Sequence, residues 1–156
     1  MSIQPVIYSF DTSALIDGLE RHYPMENFPA VWKNMDNLVN DGRLIISREV
    51  YDESIEKDLA TKNWCKPRKD KIVIETDEFI GYEVTKVMDD FPNIVNDNKR
   101  KNRADPFVIG LAKAKKATVV TGEKLGKGIK IPDVCSSYRI DCITILTLIK
   151  VEGWIF

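Results

Sequence analysis

Histidine and cysteine are scarce in this chain, and their scarcity limits the kinds of metal site that it can form. His22 is the single histidine, and the cysteines are Cys65, Cys135 and Cys142. An odd number of cysteines without metal-type spacing argues against both a secreted disulfide framework and a zinc site. Any metal would therefore be held by oxygen ligands, which suit Mg2+ or Mn2+.

Long apolar runs and a strong charge of either sign are also missing. No stretch is long enough to span a bilayer, and the first residues show no basic region followed by an apolar run. We therefore expect a cytoplasmic protein with no membrane partner. The net charge of −1 excludes a bulk polycation that coats DNA. The length of 156 residues favours one domain, 1–156, with a real hydrophobic core.

Strand and helix patterns alternate along the chain, which predicts an α/β fold with a mostly parallel central sheet. The predicted strands are 5–10, 44–46 and 117–121, and the predicted helices are 12–20, 29–41, 48–63, 76–91 and 105–115. The basic segment 66–71 is interpreted as a loop. Segment 72–74 is either a short strand or merely extended chain, and 129–131 and 142–148 are candidates for further strands.

Acidic residues lie where these elements meet at one edge of the sheet. Asp11 ends the first strand, Glu123 comes shortly after a later strand, and Asp105 opens a helix. Helices return antiparallel to the strands, so their N-termini lie at the carboxyl edge, where open parallel sheets bind ligands. Glu53 lies six residues past Ser47, roughly 9 Å down a helix, and its side chain reaches part of the way back.

Each acid also has a purely structural explanation. Asp11 and Asp105 are both suited to cap the helices that they precede, and Pro106 strengthens this interpretation for Asp105. Glu53 and Glu123 would then be a solvated helix residue and an ordinary loop acid. Three more acids stay open as substitutes or additions: Glu49, Asp52 and Asp133.

The expected convergence of these acids favours a metal site over four separate structural roles. Crowded carboxylates raise one another's pKa and resist ionisation. A divalent cation offsets this repulsion, so four acids at one edge are best explained as the cradle of a metal ion. The hydroxyl of Thr12 or Ser13 is placed either to hold Asp11 or a water molecule, or to cap the helix.

The residues around these acids resemble the motifs of PIN-domain nucleases, in the family's order and over nearly the whole chain. Asp11 with the following Thr-Ser-Ala-Leu resembles the first motif, and Ser47 with Glu53 resembles the second. Asp105, followed by Pro-Phe-Val-Ile, resembles the third, and the segment Val-Val-Thr-Gly before Glu123 resembles the fourth. The nearest resemblance is to the VapC-type toxins of toxin–antitoxin pairs.

This resemblance implies a three-layer α/β/α sandwich and an endoribonuclease that depends on Mg2+ or Mn2+. It implies Asp11, Asp105 and Glu123 as metal ligands, Glu53 as a further catalytic acid, a homodimer and an antitoxin protein as partner. The basic run before Asp105 would contact the RNA backbone through Lys99, Arg100, Lys101 and Arg103, unless it is only a solvated loop.

The chain departs from the family pattern in the insert 21–29, which is not part of the toxin pattern, and at Glu123, which stands where aspartate or asparagine is more usual. The departure at Glu123 keeps a second hypothesis open. The alternative is a PIN-like scaffold that binds RNA or a protein partner without cleaving RNA. A phosphatase of the strand-end aspartate type is disfavoured, because Ser13 stands where such enzymes usually carry a second aspartate.

Overall fold

The computed structural model describes residues 4–95, 103–122 and 130–156. The predictions made for Lys99, Arg100, Lys101 and Glu123 therefore lie outside the described residues. None of the helices in the described ranges is long and apolar enough to cross a membrane.

Five parallel strands form one sheet in the described part of the chain. They are β1 (Tyr8–Phe10), β2 (Leu44–Ser47), β3 (Val73–Ile74), β4 (Thr118–Val120) and β5 (Cys142–Ile143), in the order β3-β2-β1-β4-β5. The chain moves outward from β1 to β3, then returns to the other side of β1 for β4 and β5. The junction of β1 and β4 is therefore the topological switch point, at whose carboxyl end such sheets bind ligands.

Helices connect the strands and cover both faces of the sheet. Their bounds are α1 Thr12–Ile16, α2 Pro29–Asn40, α3 Arg48–Lys57, α4 Leu59–Cys65, α5 Lys69–Ile72, α6 Glu78–Asp90, α7 Asp105–Lys115, α8 Ile131–Tyr138 and α9 Ile145–Glu152. A π-helical turn, Asp17–His22, continues α1, and 3-10 turns occupy Lys66–Arg68 and Pro92–Ile94.

Alternating side chains of the strands build two apolar layers. On one face, Ile45 of β2 packs with Ile80 and Val84 of α6 and Leu111 of α7. On the same side, the hydroxyl of Ser9 donates to the carbonyl of an α7 residue. Leu44 and Ile46, on either side of Ile45 in β2, belong to a larger hydrophobic cluster that includes buried side chains of α2, α4 and α9. The three-layer α/β/α arrangement with a parallel sheet is thereby confirmed.

The predicted helix over 48–63 is divided in two by Asp58. The backbone at Asp58 is extended, and its carboxylate accepts a hydrogen bond from the Thr61 nitrogen at 2.9 Å, so it caps a new helix, α4. The segment 66–71, expected to be a loop, is instead mostly helical. The helix predicted over 76–91 begins at Glu78, because its N-cap is Asp77, which accepts from the Ile80 nitrogen at 2.8 Å.

Of the strand expected at 129–131, residue 129 lies outside the described residues and the remainder is not a strand; of the one expected at 142–148, only the first two residues form a strand. Ile131 begins α8, and β5 ends at Ile143. The hydroxyl of Thr144 accepts from the Thr147 nitrogen at 3.2 Å and starts α9. Apolar residues of α9 are buried at helical spacing, which a short β-branched run does not distinguish from a strand.

The packing of α6 against α7 depends on a glycine in α7. A Cβ atom on Gly110 would lie 2.5 Å from Cγ2 of Val84 and 2.9 Å from its backbone nitrogen. Because the second obstacle is backbone, the two helices would have to separate to admit a methyl group. This contact therefore sets the position of α7, which carries Asp105 at its first residue.

We predict that Gly110→Ala lowers the free energy of unfolding by about 1–3 kcal/mol, because the added methyl overpacks the interface. Urea denaturation measures this change. The matched control is Gly81→Ala in α6, where the nearest atom to the new Cβ lies 3.7 Å away. That variant should be neutral or stabilised by up to about 1 kcal/mol, as helix propensity requires. Equal effects of the two substitutions would contradict the prediction.

Candidate active site

Asp11 is a buried carboxylate that the ends of two strands hold in place. Its backbone nitrogen donates to the carbonyl of Val120 at 3.0 Å, and Asp11 as a whole is only 3% exposed. Oδ1 accepts hydrogen bonds from the Ser13 hydroxyl and the Ala14 nitrogen, both at 2.8 Å. Oδ2 accepts from the Thr121 hydroxyl at 2.6 Å. Asp11 therefore caps α1 and also bridges to the end of β4, so capping alone does not account for its contacts.

Ser13 extends this network to the residue that follows Thr121. Its hydroxyl accepts a hydrogen bond from the Gly122 nitrogen at 3.0 Å and lies 3.3 Å from the Thr121 hydroxyl. Of the two hydroxyls considered for holding Asp11, Ser13 is the one that bonds to it. Thr12 has a buried hydroxyl with no hydrogen-bond partner among the described residues.

Asp17 is an acid at this edge that the sequence did not point to. It begins the π-helical turn after α1, and a Cβ on Gly122 would overlap its carboxylate. Arg21 donates to Oδ1 of Asp17 at 2.8 Å. The π turn shifts Asp17 away from its position on a regular helix, and no sequence pattern signalled that change.

Asp105 lies on the same edge as Asp11 and is 7% exposed. The residue that caps α7 is Ala104, so Asp105 is the first helical residue and not the N-cap. The Ser9 hydroxyl donates to the Val108 carbonyl at 3.2 Å, so Ser9 of β1 and Val108 of α7 lie at the same level along the strand direction. From that level Asp105 lies roughly 4.5 Å further up the helix and Asp11 roughly 6.6 Å further up the strand. The two carboxylates thus sit at similar heights on neighbouring elements.

The three acids of α3 differ in their partners and in their burial. Glu53 lies 3.5 Å from Lys57 and its side chain is 23% exposed, whereas Asp52 is exposed and pairs with Arg48 at 3.0 Å. Glu49 lies one turn nearer the sheet edge, and its Oε1 is buried without a hydrogen-bond partner among the described residues. Burial raises the pKa of Glu49, and the Asp52 and Glu75 carboxylates raise it further.

Of the remaining predicted site residues, Asp133 and Arg103 are among the described residues and Glu123 is not. Asp133 accepts a hydrogen bond from the Lys130 nitrogen at 3.1 Å, so it closes a capping box at the start of α8. Arg103 is exposed, just before α7. Glu123 belongs to the segment 123–129, which is not among the described residues.

The donor chemistry of this edge fits a hard cation. Asp11 and Asp105 offer carboxylate oxygens, which are the ligands that Mg2+ and Mn2+ prefer. Within the described ranges, no three acidic, histidine or cysteine side chains come close enough together to hold a metal. The described residues therefore supply a pair of buried carboxylates, and a third ligand would have to come from outside them.

The strand order and helix placement define an α/β protein of the PIN-like class. A chain of VapBC2 from Rickettsia felis, solved bound to a DNA fragment from its promoter, is similar with a TM-score of 0.54 and 14% identity, over 89% of this chain and 98% of that chain. A chain of VapBC-1 from nontypeable Haemophilus influenzae has a TM-score of 0.52 and 16% identity, over 88% of this chain and 96% of that chain. The fold implied by the sequence resemblance is thus confirmed.

The chain belongs to the family described as a domain of unknown function, DUF4411, whose model matches residues 8–156. The matched range begins at the first residue of β1 and includes Asp11, Glu53 and Asp105. No curated protein matches the sequence.

We predict that Thr121→Val lowers the free energy of unfolding by about 1–3 kcal/mol, because Oδ2 of buried Asp11 loses a donor. Valine keeps the shape and the strand propensity of threonine. The control is Thr118→Val on the same strand, where the hydroxyl makes no hydrogen bond with the described residues. Urea denaturation of both variants measures the difference, and equal stabilities would show that the hydrogen bond to Asp11 contributes little.

Proposed function

We propose that the chain is a single PIN-like domain that hydrolyses RNA phosphodiester bonds with Mg2+ or Mn2+. The observation that carries the proposal is the buried pair Asp11 and Asp105 at the switch point of a PIN-like sheet. Burying two carboxylates at one edge of a sheet is costly unless a cation compensates their charge. A role limited to helix capping explains neither the hydrogen bond from Thr121 to Asp11 nor the burial of Asp105.

Asp11 and Asp105 would hold the cation, with Glu123 as the third ligand. Glu53 would complete the acidic pocket, and Glu49 is the competitor that the burial of its Oε1 supports. When bound, the cation supplies positive charge that stabilises the phosphodiester during in-line attack and makes water a better nucleophile.

The chain's own hydroxyl groups keep Asp11 in one orientation. Ser13 and Thr121 each donate to a different oxygen of its carboxylate, so the plane of the carboxylate is set before any ligand arrives. Preorganisation of this kind avoids the cost of ordering the ligand during the reaction. The basic run with Lys99, Arg100, Lys101 and Arg103 precedes Asp105 in the sequence and would neutralise RNA phosphates beside the site.

The biological role that we propose is that of a toxin held inactive by an antitoxin protein. The support is the likeness in fold to chains of two VapBC structures. We further propose that the chain acts as a homodimer, as the family resemblance implies.

We expect Asp11→Asn to abolish Mg2+-dependent RNA cleavage while the fold is retained, because asparagine can still cap α1 but brings no negative charge to the cation. Incubation of purified protein with RNA, with and without Mg2+ or Mn2+, measures cleavage. Circular dichroism confirms that the variant is folded. Undiminished cleavage by this variant would refute the assignment.

The matched control is Asp77→Asn at the N-cap of α6. Asp77 accepts from the Ile80 nitrogen at 2.8 Å, as Asp11 does from the Ala14 nitrogen at 2.8 Å. The same chemical change is thus made at the cap of the helix that follows β3, two positions away from β1 in the sheet. Full cleavage by this control would show that the loss in Asp11→Asn does not come from helix capping.

A catalytically inactive scaffold is the second candidate, and the departure at Glu123, where the family usually carries aspartate or asparagine, favours it. Such a scaffold would use the same edge or the basic run to bind RNA or a protein partner without cleaving it.

Titration of the protein with Mn2+ in a calorimeter separates the two candidates. The nuclease is expected to bind Mn2+ in the micromolar to millimolar range, and Asp105→Asn is expected to weaken that binding at least tenfold, since one of the few carboxylate ligands is lost. Absence of Mn2+ binding by the wild-type protein would favour the scaffold. Asp141→Asn serves as the control, because Asp141 is exposed and directly precedes β5, at the opposite edge of the sheet.

A further inference from the structure

A cavity of about 430 Å3 opens directly beside Asp11, between the π-helical turn and the start of α9. Thr121, which donates to Asp11 at 2.6 Å, also lines the cavity, so the two sites share a wall. The volume is at the lower end of the roughly 300–1,000 Å3 typical of small-molecule sites. It suits one nucleoside unit and not a longer oligonucleotide.

Among the described residues, the lining of this cavity combines apolar residues with one acid, and with the polar residues His22, Thr121 and Thr144. Ile145 and Leu146 form apolar wall, Tyr23 contributes an aromatic ring, and Asp17 is the acidic residue among those that line it. An acidic pocket repels a phosphate group. A flat heterocycle that carries N–H donors satisfies both the carboxylate and the apolar wall, and a nucleobase is such a group.

The Asp17 carboxylate is held in place from two sides. Oδ1 accepts from Arg21 at 2.8 Å, and the carboxylate rests on Gly122, where any side chain would overlap it. The Arg21 side chain is 69% exposed, so this ion pair orients Asp17 without neutralising it strongly. Each carboxylate oxygen has a second lone pair with which to accept from a ligand.

The Tyr23 ring is also positioned by its neighbours. Its carbonyl accepts from the Trp32 indole nitrogen at 2.6 Å, and its ring makes an edge contact with Phe28 at a centroid distance of 5.5 Å. A ring that is already ordered offers a stacking surface at a low entropy cost. Base stacking on aromatic side chains is a general feature of single-stranded RNA recognition.

We propose that this cavity binds a guanine base of the RNA substrate next to the cleaved phosphodiester, a proposal that rests on the nuclease function. Guanine presents two adjacent N–H donors on its Watson–Crick edge, which match the two oxygens of Asp17. Adenine and cytosine present an amino group beside an acceptor, and uracil places carbonyls on both sides of its single donor. Each of these bases would set an acceptor against a carboxylate oxygen.

The test titrates guanosine, adenosine, cytidine and uridine separately onto the full chain, with a chelator present, and follows binding by ligand-observed NMR. Guanosine should bind roughly 10- to 100-fold more tightly than the others, as a bidentate base contact provides. Asp17→Asn should remove this preference, because the amide replaces one acceptor by a donor. Leu146→Trp should weaken all four nucleosides by filling the cavity, since Leu146 is 53% exposed and can be enlarged without disturbing the core.

The charge control is Asp70→Asn, an exposed acid on α5 outside the cavity, which should keep the wild-type preference. Equal binding of the four nucleosides by wild type, or an unchanged preference in Asp17→Asn, would overturn the proposal. So would a loss of Mn2+ affinity in Asp17→Asn as large as that in Asp11→Asn, because Asp17 would then be a metal ligand.

The outcome is separable from that of the nuclease assignment. Because the titration is made without metal, guanosine selectivity in a protein that cleaves no RNA would refute the nuclease and retain the pocket. Asp11-dependent cleavage without guanosine selectivity would refute the pocket and retain the nuclease. Mapping of cut sites then completes the test, with guanine enriched beside the cut for wild type and not for Asp17→Asn.

Discussion

The hydrogen bond from the Thr121 hydroxyl to Oδ2 of Asp11 connects the ends of β1 and β4, the two strands at the topological switch point of the sheet. Through it the carboxyl ends of β1 and β4 are fixed to each other, and the Ser13 hydroxyl extends the connection to Gly122. The site and the neighbouring cavity both depend on this junction. Thr121 contacts Asp11 on one side and lines the cavity on the other.

Burial and charge then divide the acids of this edge into different tasks. Asp11 and Asp105 are buried, and their placement at similar heights gives a pair of oxygen donors suited to a hard cation. Asp17 is partly exposed and faces an apolar cavity, where a carboxylate can recognise N–H donors. In the functions that we propose, Asp11 and Asp105 act on the phosphodiester through the cation, and Asp17, at the same edge of the sheet, recognises the base.

Much of the fold could be predicted because amphipathic patterns and caps are local. The periods of α2, α6 and α7 match the structure, as do the strands at 44–46 and 117–121. The errors arose where a local pattern was ambiguous. The β-branched run after Cys142 contains both a two-residue strand and a helix, and only the Thr144 cap separates them. The break at Asp58 likewise depends on one side chain that prefers to bond a backbone nitrogen.

For the candidate site, the sequence by itself determined that Asp11 ends a buried strand and that Asp105 begins a helix. Because the strands are parallel and the helices return antiparallel to them, these two facts are enough to place Asp11 and Asp105 at the same edge of the sheet. Only the tertiary structure decided that Thr121 and Ser13 hold Asp11, that Oε1 of Glu49 is buried without a hydrogen-bond partner among the described residues, and that Asp17 enters the group. Those contacts join residues distant in sequence or follow an irregular helical turn, so no periodic pattern in the chain encodes them.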